Sequence, residues 1–255
     1  MLVESEPGAP PSEWVSLVGQ LSALISADDP NLCAWCASYA RSQLARIASD
    51  LAIVLRHATK DDAILEYGSV PLFLTEALHR TGYRVVGIDA RPERFATAIR
   101  TLGLDVRKCD VEREPAPFPD SSFDVVIFNE IFEHLRIDPI FTLRETRRVL
   151  KPGGLLLLST PNLRSLRGIA NFLFLNQCHS CTGGVYAQYE KLSTLGHVGH
   201  VREYTTREVR EFLERIGFAV EKLIFRGRYR GLTPRAITRL APGLRPFVTY
   251  VARKS

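Results

Sequence analysis

The sequence has one methionine, two tryptophans and no apolar run near the roughly 18 residues that a bilayer crossing needs. Its densest apolar run, around Phe172 to Leu175, is far shorter, so no membrane span is expected. The N-terminus carries Glu4 and Glu6 where a secretory signal would have a basic and then an apolar stretch, and a cytoplasmic protein is expected. Cysteines number five, an odd count that argues against a disulfide framework. Four of them form two Cys-x-x-Cys pairs, Cys33/Cys36 and Cys178/Cys181, whose spacing would close a zinc site if the segments met. Ordinary reduced thiols are the expectation, and no metal ligand is assigned. Charge of one sign is not concentrated: the formal net charge is +5, and the densest basic stretch is Arg226, Arg228, Arg230 and Arg235. That stretch suits either an anionic partner or a solvated surface. There is no basic strip interleaved with aromatics, so no nucleic-acid partner is expected. Repeats and low-complexity tracts are absent.

What is present is the balance of a soluble globular chain: 45% apolar and 24% charged residues over 255 positions. That length suits one large domain or a core with helical additions. Residues 1–11, rich in Pro, Gly and Glu, read as a flexible tail. Residues 12–58 read as a helical cap. Trp14, Leu17, Leu21 and Leu24 repeat with helical period, Asp28-Asp29-Pro30 interrupts, and Leu44, Ile47, Leu51 and Leu55 resume it.

From 59 to 255 the texture is that of an α/β domain. Short apolar runs at 63–67, 85–88, 105–109, 125–128 and 155–159 alternate with helical patterns at 71–80, 92–102 and 138–150. Runs such as Val125-Val126-Ile127-Phe128 do not alternate, so they suit strands covered on both faces. Buried strands alternating with helices predict a doubly wound, parallel, Rossmann-like sheet. Residues 161–204 fit no regular unit and read as a lid insertion after strand five. Thr205-x-x-Glu208 is a capping box, Gly217 a helix stop, and 220–225 and 247–252 the last two strands, joined by a short helix near 234–240.

Ligands of such sheets bind at the carboxyl ends of the strands. Strand one ends at Glu66-Tyr67-Gly68-Ser69, strand two at Asp89, strand three at Asp110 and strand four at Asn129-Glu130. Asp89 is placed to accept hydrogen bonds from ribose hydroxyls, and Asp110 from an exocyclic amine. Each can instead be a turn-former or helix cap. Together, acidic residues at three strand ends favour an adenosine-type ligand.

These motifs resemble the class I methyltransferases that use S-adenosyl-L-methionine. Ile64-Leu65-Glu66-Tyr67-Gly68-Ser69 is similar to that family's first motif, Val86-Gly87-Ile88-Asp89 to its ribose-binding strand end, and Cys109-Asp110-Val111 to its adenine-contacting position. Phe123-Asp124-Val125-Val126, then Asn129-Glu130 to Glu133-His134-Leu135, resemble the fourth-strand motif, and Leu150-Lys151-Pro152-Gly153-Gly154 the turn into strand five. The resemblance implies a seven-stranded sheet with its last strand antiparallel. It implies that Glu66, Gly68 and Ser69 lie at the methionine part, Asp89 at the ribose, Asp110 and Val111 around the adenine, and Asn129 and His134 along the passage to the methyl group. The first motif departs from the family: two of its three glycine positions hold Val70 and Leu72. An alternative is therefore a protein of the same fold with a binding or scaffold role. A nicotinamide-dependent oxidoreductase is a second rival, weakened by the missing Gly-x-Gly-x-x-Gly after strand one.

Transfer of a methyl group to a hydroxyl needs a base, and histidine suits that near neutral pH. His134, His197 and His200 are the candidates; each can instead only pack or brace a loop. Arg164, Arg167, Phe172, Phe174, Tyr186 and Tyr189 suit a polar small acceptor with some apolar surface, such as a sugar, a glycolipid or a natural-product intermediate. O-methylation of such a molecule is the working expectation, with a homodimer among the possible states.

Overall fold

The computed structural model describes residues 2–5 and 9–255. The chain divides into two compact units, one of residues 8–127 and 148–154, the other of residues 1–7, 128–147 and 155–255.

In the first unit, helices α1 (Ser12–Leu24) and α2 (Pro30–His57) precede strand β2 (Ala63–Tyr67), helix α3 (Phe73–Arg80), strand β3 (Arg84–Asp89), helix α4 (Ala96–Leu102) and strand β4 (Asp105–Lys108). Asp29 caps α2, its side chain accepting from the Asn31 amide, and Pro30 takes the first helical position. Both helices pack on α3. The pattern expected at 92–102 is split: a 3-10 turn over Pro92–Phe95 leads into α4. Strand β5 (Phe123–Asn129) completes the order β5-β2-β3-β4, all parallel. The chain runs outward from β2 through β3 to β4 and then returns to β5 beside β2, so the strand order reverses at β2. Ile64, Leu65, Val126, Ile127 and Phe128 are fully buried, as strands covered on both faces require.

In the second unit, strands β1 (Leu2–Ser5), β7 (Phe218–Arg226), β8 (Phe247–Lys254) and β6 (Leu150–Pro161) follow the order β1-β7-β8-β6. Strand β8 runs antiparallel to both neighbours, as expected of the last strand. Strands β5 and β6 give residues to both units. Among the described residues there are thus eight strands rather than seven. The additional one, β1, lies where a loose tail is expected; it pairs parallel with β7, and Glu4 there meets Lys222 at 2.8 Å. Helix α5 (Pro139–Val149) precedes β6. The capping box at Thr205 opens helix α8 (Thr206–Ile216), and Gly217, at φ +97°, closes it.

The stretch 161–204 corrects the sequence reading, because it holds regular structure. Helix α6 (Leu166–Leu175) starts at Ser165, whose hydroxyl accepts from the Gly168 amide, and stops at a left-handed Asn176. Helix α7 (Val185–Thr194) follows, and helix α9 (Leu232–Leu240) lies between β7 and β8. Among the described residues, no helix is long and apolar enough to cross a membrane.

Candidate active site

The strand ends of the first unit form a cradle made largely by backbone. After β2 the chain turns at Gly68 (φ +62°) and Ser69, whose amide donates to the Ile88 carbonyl of β3 at 3.2 Å. The turn closes at Leu72, whose amide donates to the Ser69 carbonyl at 2.6 Å. Leu72 stands at φ +74°, a left-handed backbone that glycine adopts freely. That conformation costs a non-glycine residue about 1–2 kcal/mol. The Leu72 side chain is fully buried, a gain of about 1.5–3 kcal/mol that offsets the strain. The loop therefore keeps a glycine-type turn at a position where the glycine is missing.

Gly87 allows the loop to lie this close. A Cβ there would stand 2.6 Å from the Ser69 hydroxyl, so any larger residue in β3 would push the turn away. The Ser69 hydroxyl is itself buried and has no hydrogen-bond partner among the described residues. Asp89 ends β3 half-buried. One of its carboxylate oxygens accepts from the Val70 amide at 3.3 Å and the other from the Arg91 amide at 2.8 Å. Burial raises the Asp89 pKa, and these two backbone donors oppose the rise. Each oxygen retains a lone pair for a further donor such as a ribose hydroxyl.

Glu66, which the resemblance places beside the methionine part, lies near the end of β2. It is buried, its carboxyl accepts from the Thr75 hydroxyl of α3 at 2.5 Å, and burial lifts its pKa to about 8 against that bond. Sequence reasoning missed Thr75, which lies one helix away. Asp110 takes on turn-forming work: its side chain accepts from the Glu112 amide at 3.2 Å, and Arg113 lies 3.7 Å from it. Val111 lies half-buried in the same turn. Asn129 ends β5 in the other unit, followed by Glu130 at φ +55°. Strained backbone after a strand end is a frequent mark of functional sites.

The second unit brings the three candidate histidines together. The His134 and His200 rings are 4.8 Å apart, and His134 and His197 are 6.4 Å apart. A ring nitrogen of His134 lies 3.3 Å from the Val198 carbonyl. Burial and then the charge of His200 bring the His134 pKa down to about 3, so this ring is neutral near pH 7. His200 stands between two buried carboxylates, its Nε2 3.8 Å from Glu133 and its Nδ1 3.5 Å from Glu203. Glu133 accepts from the Thr160 hydroxyl of β6 at 3.0 Å, and its backbone carbonyl accepts from the amides of Val201 and Arg202. Glu203 accepts from the Ser180 amide at 2.6 Å, from the Ser180 hydroxyl, and from the Thr182 hydroxyl at 3.1 Å. Burial pushes the Glu203 carboxyl up, but the bonds from His200 and Ser180 outweigh it and hold the pKa at about 2. His197 is exposed, with a ring nitrogen 3.3 Å from the Leu195 carbonyl of its own loop.

Gly199 makes this packing possible, since a Cβ there would lie 2.1 Å from the Gln188 side chain, which also accepts from the His200 amide. Glu203 and Ser180 escape a reading of the sequence as function-bearing residues, and Cys181 enters it only as half of a Cys-x-x-Cys pair. The signal available was the short spacing of Glu203 from His200. The paired-cysteine idea finds no support: Cys178 is exposed, Cys36 is buried with its thiol pushed up to about 11, and Cys181 instead faces Glu203.

Residues 65–158 match the family described as methyltransferase domain. The chain is 36% identical over 115 residues to a ubiquinone biosynthesis O-methyltransferase of Xanthomonas campestris pv. campestris (strain B100), covering 43% of this chain and 47% of that one. A protein of the same name from Cereibacter sphaeroides (strain ATCC 17029 / ATH 2.4.9) is 34% identical over 102 residues, covering 39% of this chain and 41% of that one. The chain thus spans about half the length, or less, of the curated relatives it matches. Among solved structures, a possible histamine N-methyltransferase from Thermotoga maritima aligns at TM-score 0.57 and 21% identity, over 86% of this chain and 95% of that one. A complex of the Haloferax volcanii Trm112 methyltransferase activator with a methyltransferase gives TM-score 0.58 at 17% identity, over 93% and 97%.

The fold is that of solved methyltransferases that depend on S-adenosyl-L-methionine. Residues 65–158 carry that family's methyltransferase domain, and the family's cofactor is S-adenosyl-L-methionine. The residues present fit this group. The unpartnered buried hydroxyl of Ser69, the left-handed turn at Leu72 and the remaining lone pairs of Asp89 are what an adenosyl ligand at these strand ends would use.

Proposed function

We propose that the chain transfers a methyl group from S-adenosyl-L-methionine to a hydroxyl of a small acceptor with some apolar surface. The observation that carries this reading is the gathering of His197 and His200 beside His134, with His200 set between Glu133 and Glu203, in a chain whose matched domain is of the methyltransferase family. When bound, the cofactor supplies an electrophilic methyl on a sulfonium sulfur, which departs as a neutral thioether. Gly68, Ser69 and Asp89 bind and orient it, while Asp110 and Val111 border the adenine; Glu66, protonated near neutral pH, braces the loop through Thr75. The hydroxyl proton goes to the histidine cluster. His134, held neutral and deep, positions its neighbours, and His197 and His200 are the proton-accepting candidates.

The printed names of the curated relatives support an O-directed transfer. The apolar side chains exposed along α6 and α7, among them Phe172, Phe174, Tyr186 and Tyr189, suit an acceptor such as a glycolipid or natural-product intermediate more than a bare sugar. One observation favours the scaffold alternative: Val70 and Leu72 stand at two of the first motif's glycine positions. Incubation with methyl-labelled cofactor and a panel of phenolic, glycosidic and lipid-linked hydroxyl compounds separates the two. Label in an ether product supports transfer. Cofactor binding with no product from any acceptor class supports the scaffold.

A further inference from the structure

We infer that Cys181, His200 and Glu203 form a binding site for one divalent ion of the zinc type. The ligand atoms already stand as one face of a tetrahedron. Cys181 Sγ is 3.9 Å from His200 Nδ1, Cys181 Sγ is 3.5 Å from Glu203 Oε1, and His200 Nδ1 is 3.5 Å from the same oxygen. Zinc bonds of about 2.0 Å to oxygen and nitrogen and 2.3 Å to sulfur imply edges of roughly 3.3–3.6 Å. The observed triangle needs to contract by only a few tenths of an ångström.

The groups behind the ligands are arranged as metal sites arrange them. His200 turns its other nitrogen toward Glu133, itself anchored by Thr160, and a carboxylate behind a histidine fixes which nitrogen faces the ion. Glu203 is fixed through its second oxygen by the Ser180 amide and hydroxyl, and its Oε1, on the shared face, is oriented by the Thr182 hydroxyl at 3.1 Å and the Cys181 amide at 3.4 Å. The charge also balances: one thiolate and one carboxylate neutralise a divalent ion, and Glu203 is 5% exposed. Binding releases the thiol proton to solvent as the S–metal bond forms.

Three protein ligands leave a position open, as in catalytic rather than structural sites. Resting on the methyl-transfer reading, that position takes the acceptor oxygen and lowers the pKa of its hydroxyl. His200 is then a ligand, and the proton falls to His197. The alternative is that the Cys181 thiol merely donates to Glu203, and it predicts no ion.

The test is a cobalt(II) titration of the metal-stripped full chain, read by absorbance with neither cofactor nor acceptor present, so it is independent of methyl transfer. One ion per chain with a thiolate-to-cobalt charge-transfer band is expected. Cys181→Ser should abolish the band, Glu203→Gln should weaken binding by roughly tenfold or more, and Cys33→Ser and Cys178→Ser should change neither. If a variant fails to fold by circular dichroism, alkylation of the unaltered protein decides instead: zinc should protect Cys181 and leave Cys178 reactive. No bound ion, a spectrum without a thiolate band, a band that survives Cys181→Ser, or unprotected Cys181 would each overturn the site.

Discussion

The candidate sites of the two units are built in different ways. At the strand ends of β2 and β3 the backbone is the instrument: a left-handed turn at Leu72, a close approach permitted by Gly87, and amides directed at Asp89. In the unit of β6, β7 and β8, the site is made of side chains from three distant segments, Glu133-His134, Ser180-Cys181 and His197 to Glu203, which meet only in the folded chain. A backbone site tolerates sequence change as long as dihedrals are kept, which is why a leucine can stand at a glycine position. A side-chain site depends on each participant.

The sharpest way to break this comparison is on the side-chain half. His200→Asn is expected to lower methyl transfer by roughly 100- to 10,000-fold, the range for loss of proton-transfer or metal-ligand chemistry, with cofactor affinity changed less than about twofold. Steady-state assays beside a cofactor titration check both numbers. On the backbone half, Asp89→Ala should weaken cofactor binding by about 10- to 100-fold, the worth of roughly 1.5–3 kcal/mol in bonds to a charged acceptor. Gly87→Ala sharpens the contrast because it adds one carbon against the Ser69 hydroxyl, 2.6 Å away. Denaturant unfolding should show a loss of about 1–3 kcal/mol, with weaker cofactor binding, although the new side chain itself is apolar and small.

A further contrast is one of pH. The folded pKa of Glu66, about 8, lies above its ordinary value of 4.5, so the folded chain keeps a proton that the unfolded chain releases. Its contribution is complete below about pH 4.5 and is lost as the pH rises toward 8. Glu66→Gln should flatten that part of the stability profile, seen as melting temperatures that diverge from the unaltered protein's as pH increases. Equal slopes for the two proteins would remove Glu66 from the account.

Much of the fold was legible because its signals are local. Uninterrupted apolar runs marked the buried strands, and the capping box at Thr205 and the glycine at 217 marked α8. Helix α6 escaped because its apolar residues, Phe172 to Leu175, are consecutive and exposed, and the apolar residues of α7 form no buried stripe. Strand β1 escaped because its reason to form is β7, more than two hundred residues on. The three histidines were legible as candidates, but not as a cluster. Nor were Thr75 beside Glu66 and Gly87 beneath Ser69, since both depend on packing across elements.

The most direct test of the central claim is a calorimetric titration with S-adenosyl-L-methionine of the unaltered chain, Asp89→Ala and His200→Asn. The account predicts binding by the unaltered chain and by His200→Asn with closely similar affinity, and a loss of about 10-fold or more in Asp89→Ala. Equal affinity for all three, or no binding by folded, unaltered protein, would contradict it.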